Sequence, residues 1–164
     1  CYRARFLLEV VDAVSVVFGV GKIGVRLSPF GTFNDMQDSS PIELFSYVTT
    51  ELNKRNIAYL HLIEPRATMA GGSDQVNADA PKTAAIFKKL FNNLLISAGG
   101  YDFDMAKQAI DNNEADAIAF GRLYIANPDL VARFKSNSQL NKYNRATFYG
   151  GGAKGYTDYN FLGN

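Results

Sequence analysis

One cysteine and one histidine in 164 residues leave few chemistries open. Cys1 has no partner for an internal disulfide, which suits a reducing compartment. His61 alone cannot build a metal cluster, and no Cys/His spacing assists it, so a hydrogen-bonded structural histidine is expected. Charge of one sign is also missing: 17 Lys and Arg stand against 16 Asp and Glu, which gives no electrostatic footprint for nucleic acid or an anionic membrane. No apolar run approaches the roughly 20 residues needed to cross a bilayer. There is no low-complexity tract, no G-x-G-x-x-G after a strand, no Walker-type loop and no nucleophile elbow. The composition is 47% hydrophobic and 20% charged, ordinary globular usage that argues against disorder.

What is present is an alternation of short β-rich runs with longer helical patterns. Phe6, Val10, Val14 and Val17 recur at helical spacing, so residues 3–18 read as an amphipathic helix rather than a signal peptide, stopped by Gly19 and Gly21. Residues 22–28 read as a strand. Pro41 opens a helix to about Arg55, and residues 57–63 form the next strand. Residues 66–79, with Gly71 and Gly72, read as a mobile loop on the active-site side. Pro81 starts another helix, followed by a strand at 93–97 and the turn Ala98-Gly99-Gly100. Asp102 caps a helix through Asn112, residues 116–121 form the last strand, and Asn127-Pro128-Asp129 opens a further helix. The tail from Asn141 is expected to be irregular. Four such units imply parallel strands with right-handed crossovers, either an open doubly wound sheet or half of an eight-fold barrel.

Two strand ends share one character. Gly99 and Gly100 follow one strand, and Gly121 and Arg122 end the next. Glycine admits close backbone approach and arginine a fixed charge, as in the phosphate sites after the last strands of eight-fold barrels, although plain turns would look the same. Arg26 lies in an apolar strand, with Gly24 and Ser28 on the same face by alternation. If buried it needs an anionic partner, which is either Glu64 or a cofactor. Phe148 and Tyr149, before three consecutive glycines, could line a pocket for a planar ligand or pack the chain end onto the fold.

Whole segments, in order, resemble the old yellow enzyme family. Arg5-Phe6-Leu7-Leu8-Glu9-Val10-Val11-Asp12-Ala13-Val14 is similar to the helix before its fifth strand, and Arg26-Leu27-Ser28-Pro29-Phe30-Gly31-Thr32-Phe33 to that strand and its loop. Tyr59-Leu60-His61 with Glu64-Pro65-Arg66 resembles the sixth strand. Phe120-Gly121-Arg122 and Ile125-Ala126-Asn127-Pro128-Asp129-Leu130-Val131 resemble the eighth strand and its helix. Phe148-Tyr149-Gly150-Gly151-Gly152 and Gly155-Tyr156-Thr157-Asp158-Tyr159 resemble the tail of the branch that includes N-ethylmaleimide reductase.

The resemblance implies a single partial FMN-binding domain over residues 1–164: the C-terminal half of a (β/α)8 barrel, strands five to eight with their helices. It implies an ene-reductase that uses NAD(P)H and FMN to reduce activated alkenes such as α,β-unsaturated carbonyls. Arg26 would stand beside the flavin ring and stabilise its anionic form; Gly99, Gly100, Gly121 and Arg122 would hold the FMN phosphate; Phe33, Phe148 and Tyr149 would line the substrate pocket. In the family the acceptor-polarising pair and the proton-donating tyrosine lie on and after the fourth strand, so no catalytic residue and no metal ligand is assigned here. The expected partners are a small-molecule alkene and either the missing N-terminal half-barrel or a second chain. A cytoplasmic location is expected, with no nucleic-acid or membrane partner. A non-catalytic flavin- or phosphate-binding half-barrel is the alternative; an aldolase-like fragment needs neither the Arg26 strand nor this tail.

Overall fold

The structure is a computed structural model that describes residues 2–67 and 76–163. The expected Gly71–Gly72 loop lies outside the described residues. Within them the chain forms two compact units, residues 2–67 with 76–119, and residues 120–163.

The first unit follows from its apolar spacing. Helix α1 (Tyr2–Phe18) buries Ala4, Leu8 and Val11 one turn apart and ends where Gly19 turns at φ 81°. Strand β1 (Gly24–Leu27) is followed by helix α2 (Pro41–Lys54), which begins on Pro41 and buries Val48, Thr49 and Leu52. Strand β2 (Tyr59–Ile63) leads to the short helix α3 (Thr83–Phe87), which starts two residues after Pro81. Strand β3 (Leu94–Ala98) and helix α4 (Phe103–Asp111) come next, the helix capped as expected by Asp102, whose carboxylate accepts the Met105 N–H at 2.8 Å. Strand β4 (Ala117–Ala119) closes the unit.

The four strands pair in parallel in the order β1-β2-β3-β4. Val25, Leu60 and Leu95 form one cross-strand row, and Leu27, Leu62 and Ser97 another, on the face that meets Leu8, Val11, Val48, Leu52 and Phe87 from the helices. Each fully buried leucine there contributes about 2 kcal/mol. A strand order without reversal, with one packed face, is a singly wound sheet and excludes the doubly wound alternative for these strands. The opposite face carries Gly24 and Tyr59, then Arg26, His61 and Ile96, and it is open: Gly24, Tyr59, Arg26 and Leu94 are all exposed. Strands β1 and β4 are the sheet edges. No described helix is long and apolar enough to cross a membrane.

The second unit begins at Phe120. Helix α5 (Arg122–Ala126) follows Gly121 directly and leaves no signal in the sequence, being too short to show a period and lacking a side-chain cap. Helix α6 (Leu130–Lys135) follows, and the remainder is irregular apart from a single turn at Arg145–Thr147. Buried Arg133 holds that irregular tail: its Nε pairs with Asp129 at 2.7 Å, and its two terminal nitrogens donate to the carbonyls of Gln139 and Asn160.

Candidate functional site

Parallel strands bring their carboxyl ends to one edge, where ligand sites of α/β sheets are built. The first residue of interest, Arg26, points from the open face of β1. Alternation places it correctly with Gly24 and Ser28, and all three are exposed, so the condition of a buried arginine is not met. The proposed ion pair with Glu64 is also excluded. Position 64 has the parity of Leu60 and Leu62, so its carboxylate lies on the helix side of the sheet, away from Arg26. Among the described residues the Arg26 guanidinium has no hydrogen bond or ion pair. Its cross-strand neighbour is His61.

Glu64 is 2% exposed and is satisfied differently. Its carboxylate accepts the N–H groups of Thr83 (2.8 Å) and Ala84 (3.0 Å) at the start of α3, and the Ser97 hydroxyl (2.9 Å) from β3. Ser97 has given its only hydrogen to Glu64, so the 2.9 Å contact between Ser97 Oγ and the Tyr101 hydroxyl is donated by the tyrosine. Burial pushes the Tyr101 phenol above its ordinary value, and the Glu64 carboxylate adds to this against the bonds to Ser97 and Arg66. The Arg66 guanidinium stacks 3.9 Å above the Tyr101 ring and donates through Nε to the Gly99 carbonyl at 2.9 Å.

Gly99 and Gly100 turn at φ 113° and 67°, a conformation that glycine adopts without strain. A Cβ on Gly99 would come within 2.9 Å of the Glu64 carbonyl oxygen. Neither glycine N–H bonds to another described backbone group. Phe33 lies in the loop after β1, half-exposed, beside Asn34 and Asp35 at φ 55° and 59°.

In the second unit Gly121 has φ −93°, and nothing among the described residues lies within 4 Å of a Cβ placed there. The Arg122 guanidinium sits 5.9 Å from the centre of the Tyr143 ring, with Arg145 5.5 Å from the same centre. Phe148 is buried against Tyr143, with ring centres 5.5 Å apart, whereas Tyr149 is 79% exposed. Phe148 thus packs the tail within its own unit, and Tyr149 is the side chain of the two that faces solvent.

Residues 2–141 match the model of the NADH:flavin oxidoreductase / NADH oxidase family. The chain belongs to that family. It is similar to 12-oxophytodienoate reductase 1 of Oryza sativa subsp. japonica, 43% identical over 162 residues, with 98% of this chain and 42% of the relative covered. The 12-oxophytodienoate reductase-like protein of Solanum lycopersicum is 45% identical over 161 residues, covering 98% and 41%. Among solved structures, morphinone reductase in complex with tetrahydroNAD superposes with a TM-score of 0.85 at 44% identity, covering 99% of this chain and 42% of that one. The chain therefore spans about two-fifths of the length of these relatives.

Three residues of this chain are not legible as a group in the sequence. Glu64, Arg66 and Tyr101 are local features in sequence, and only the β2-to-β3 register brings them together. The signal that was available is an arginine just beyond one strand and a tyrosine just beyond the glycines that end the next. His61 also departs from expectation: its Nε2 is buried without a hydrogen-bond partner among the described residues. Burial, and then the Arg26 charge, hold its imidazole below the ordinary value of 6.5.

A folded pKa below the unfolded one means that the unfolded chain binds the extra proton first. The contribution of His61 to stability is therefore full above about pH 6.5 and declines as pH falls from there toward the folded value. Urea unfolding of wild type and His61→Gln from about pH 8 down to about pH 5.5 should show the steeper loss in wild type. Parallel curves would mean that His61 titrates alike in both states.

Proposed function

We propose that this chain is the flavin-binding, carboxyl-terminal part of an ene-reductase: strands β1 to β4 are the last four of an eight-stranded barrel, and its residues hold FMN. The observation that carries the reading is Arg26, an exposed guanidinium without a hydrogen bond or ion pair among the described residues, on the open face of a parallel sheet. A fixed charge in that position suits an anionic planar ligand.

The residues fit such a group. Gly99 and Gly100 offer two consecutive left-handed positions whose N–H groups bond to no other described backbone, a form of turn that takes anions. Gly121 leaves open the space that a Cβ would fill. We assign Gly99, Gly100, Gly121 and Arg122 to the phosphate and Arg26 to the ring. Phe33, Phe148 and Tyr149 are assigned to the substrate pocket; of these, the exposed Tyr149 is the better placed to meet a ligand. When bound, FMN supplies hydride transfer from NAD(P)H to an activated alkene. The neutral His61 beside Arg26 leaves the guanidinium as the one positive charge of that cross-strand pair.

The open face, where Tyr59 and Leu94 are exposed, and the outer side of α1, where Phe6 is 78% exposed, present apolar side chains of the kind that further chain covers. We assign that cover to the amino-terminal half-barrel of the same protein, in keeping with relatives more than twice as long. Acceptor polarisation and proton donation to the alkene belong to that half.

The test is a flavin titration of the full-length protein with NADPH-driven reduction of cyclohexenone. Arg122→Ala should weaken FMN binding by roughly tenfold to a hundredfold, the effect of removing a hydrogen bond to a charged group. Unchanged FMN affinity would remove Arg122 from the site. FMN binding by this chain alone, without turnover, is the result expected when the catalytic half lies elsewhere; turnover by this chain alone would overturn that assignment.

A further inference from the structure

We propose that Arg66 is a positioning residue: by holding the Gly99 carbonyl it aims the Gly100 N–H at the cofactor phosphate. This rests on the flavin reading above. A turn of two glycines at positive φ has little stiffness of its own, because glycine is the residue least restricted by sterics. A phosphate site nevertheless needs its donors fixed before the ligand arrives. The Gly99 carbonyl and the Gly100 N–H belong to one peptide unit, and no cis peptide bond is present among the described residues. In a planar trans peptide the carbonyl and the N–H point in opposite directions. The 2.9 Å bond from Arg66 Nε to Gly99 O therefore directs the Gly100 N–H to the far side, and the guanidinium charge polarises that amide into a stronger donor.

Arg66 is itself held. Its guanidinium lies 3.9 Å above the Tyr101 ring, the Tyr101 hydroxyl bonds to Ser97, Ser97 bonds to Glu64, and Glu64 is tied to the first amides of α3. The chain of contacts thus runs from a buried carboxylate to the peptide plane of the turn. A lysine could reproduce the charge but neither the Nε–H nor the planar face.

The phosphate supplies the readout. FMN and riboflavin differ only in that group, so the ratio of their dissociation constants isolates the turn from the rest of the flavin site. In the full-length protein, measured by flavin fluorescence, Arg66→Met should lower the preference for FMN over riboflavin by roughly tenfold while riboflavin affinity stays unchanged. Arg66→Lys should fail to restore it. Tyr101→Phe, which keeps the ring under the guanidinium, should retain most of it. If Arg66→Met does not fold, Tyr101→Leu removes the platform and should lower the same ratio. Equal losses for both flavins would make Arg66 a general support of the fold and overturn the proposal, as would an unchanged ratio. Arg122→Ala separates the two readings. If it lowers the ratio and Arg66→Met does not, only the inference fails; if neither does, the phosphate reading itself fails.

Discussion

Replacing Glu64 with alanine is expected to destabilise the sheet unit by about 3 kcal/mol, read as a lower urea midpoint with an unchanged slope. The carboxylate is buried and accepts three hydrogen bonds, from the Thr83 and Ala84 amides and the Ser97 hydroxyl. Removing it leaves three donors facing a dry space, each costing about 1 kcal/mol or more. Glu64→Gln should lose less, about 2 kcal/mol, because the amide oxygen still accepts while its NH2 group meets a donor. Ser97→Ala removes a single partner and should cost less than either. The order alanine, glutamine, then Ser97→Ala is the test. A Glu64→Ala midpoint equal to wild type would mean that water replaces the carboxylate and that α3 does not depend on it.

That role shows where the sequence could be read and where it could not. Pro41 marks the start of α2 and Asp102 marks α4, because each signal is local and has one physical meaning; periodicity finds α1 but not its buried face, since Phe6, Val10, Val14 and Val17 are exposed while Ala4, Leu8 and Val11 are buried. Alternation also assigns Arg26 to its face. The pairing with Glu64 fails because proximity to a strand end says nothing about face, while parity does: residues 61 and 64 point to opposite sides, and Arg26 shares its row with His61. Helix α5 is invisible for a different reason. Five residues after a glycine carry no period and no cap. The link from Arg66 to Gly99 spans 33 residues and requires the β2-to-β3 register, which no local pattern encodes. The singly wound order could be told from a doubly wound one only once the helices were seen to pack one face.

The glycines of the candidate phosphate site offer the second large effect, because two of them are glycine for different reasons. Gly99 has φ 113°, and a Cβ there would lie 2.9 Å from the Glu64 carbonyl oxygen and 3.3 Å from its nitrogen, both backbone atoms that cannot swing aside. Gly99→Ala should therefore cost about 3 kcal/mol of stability whether or not a ligand is present. Gly121 has an ordinary φ of −93° and open space around its would-be Cβ among the described residues. Folding gives no reason for a glycine there. Gly121→Ala should leave stability unchanged or raise it by up to about 1 kcal/mol, through the less flexible unfolded chain. If the FMN phosphate occupies that space, the same substitution should weaken FMN binding roughly tenfold. Measured side by side, Gly99→Ala should fail in unfolding and Gly121→Ala in flavin affinity. A Gly121→Ala protein that binds FMN as wild type does would leave the space beside Gly121 to solvent and confine the phosphate to the Gly99–Gly100 turn.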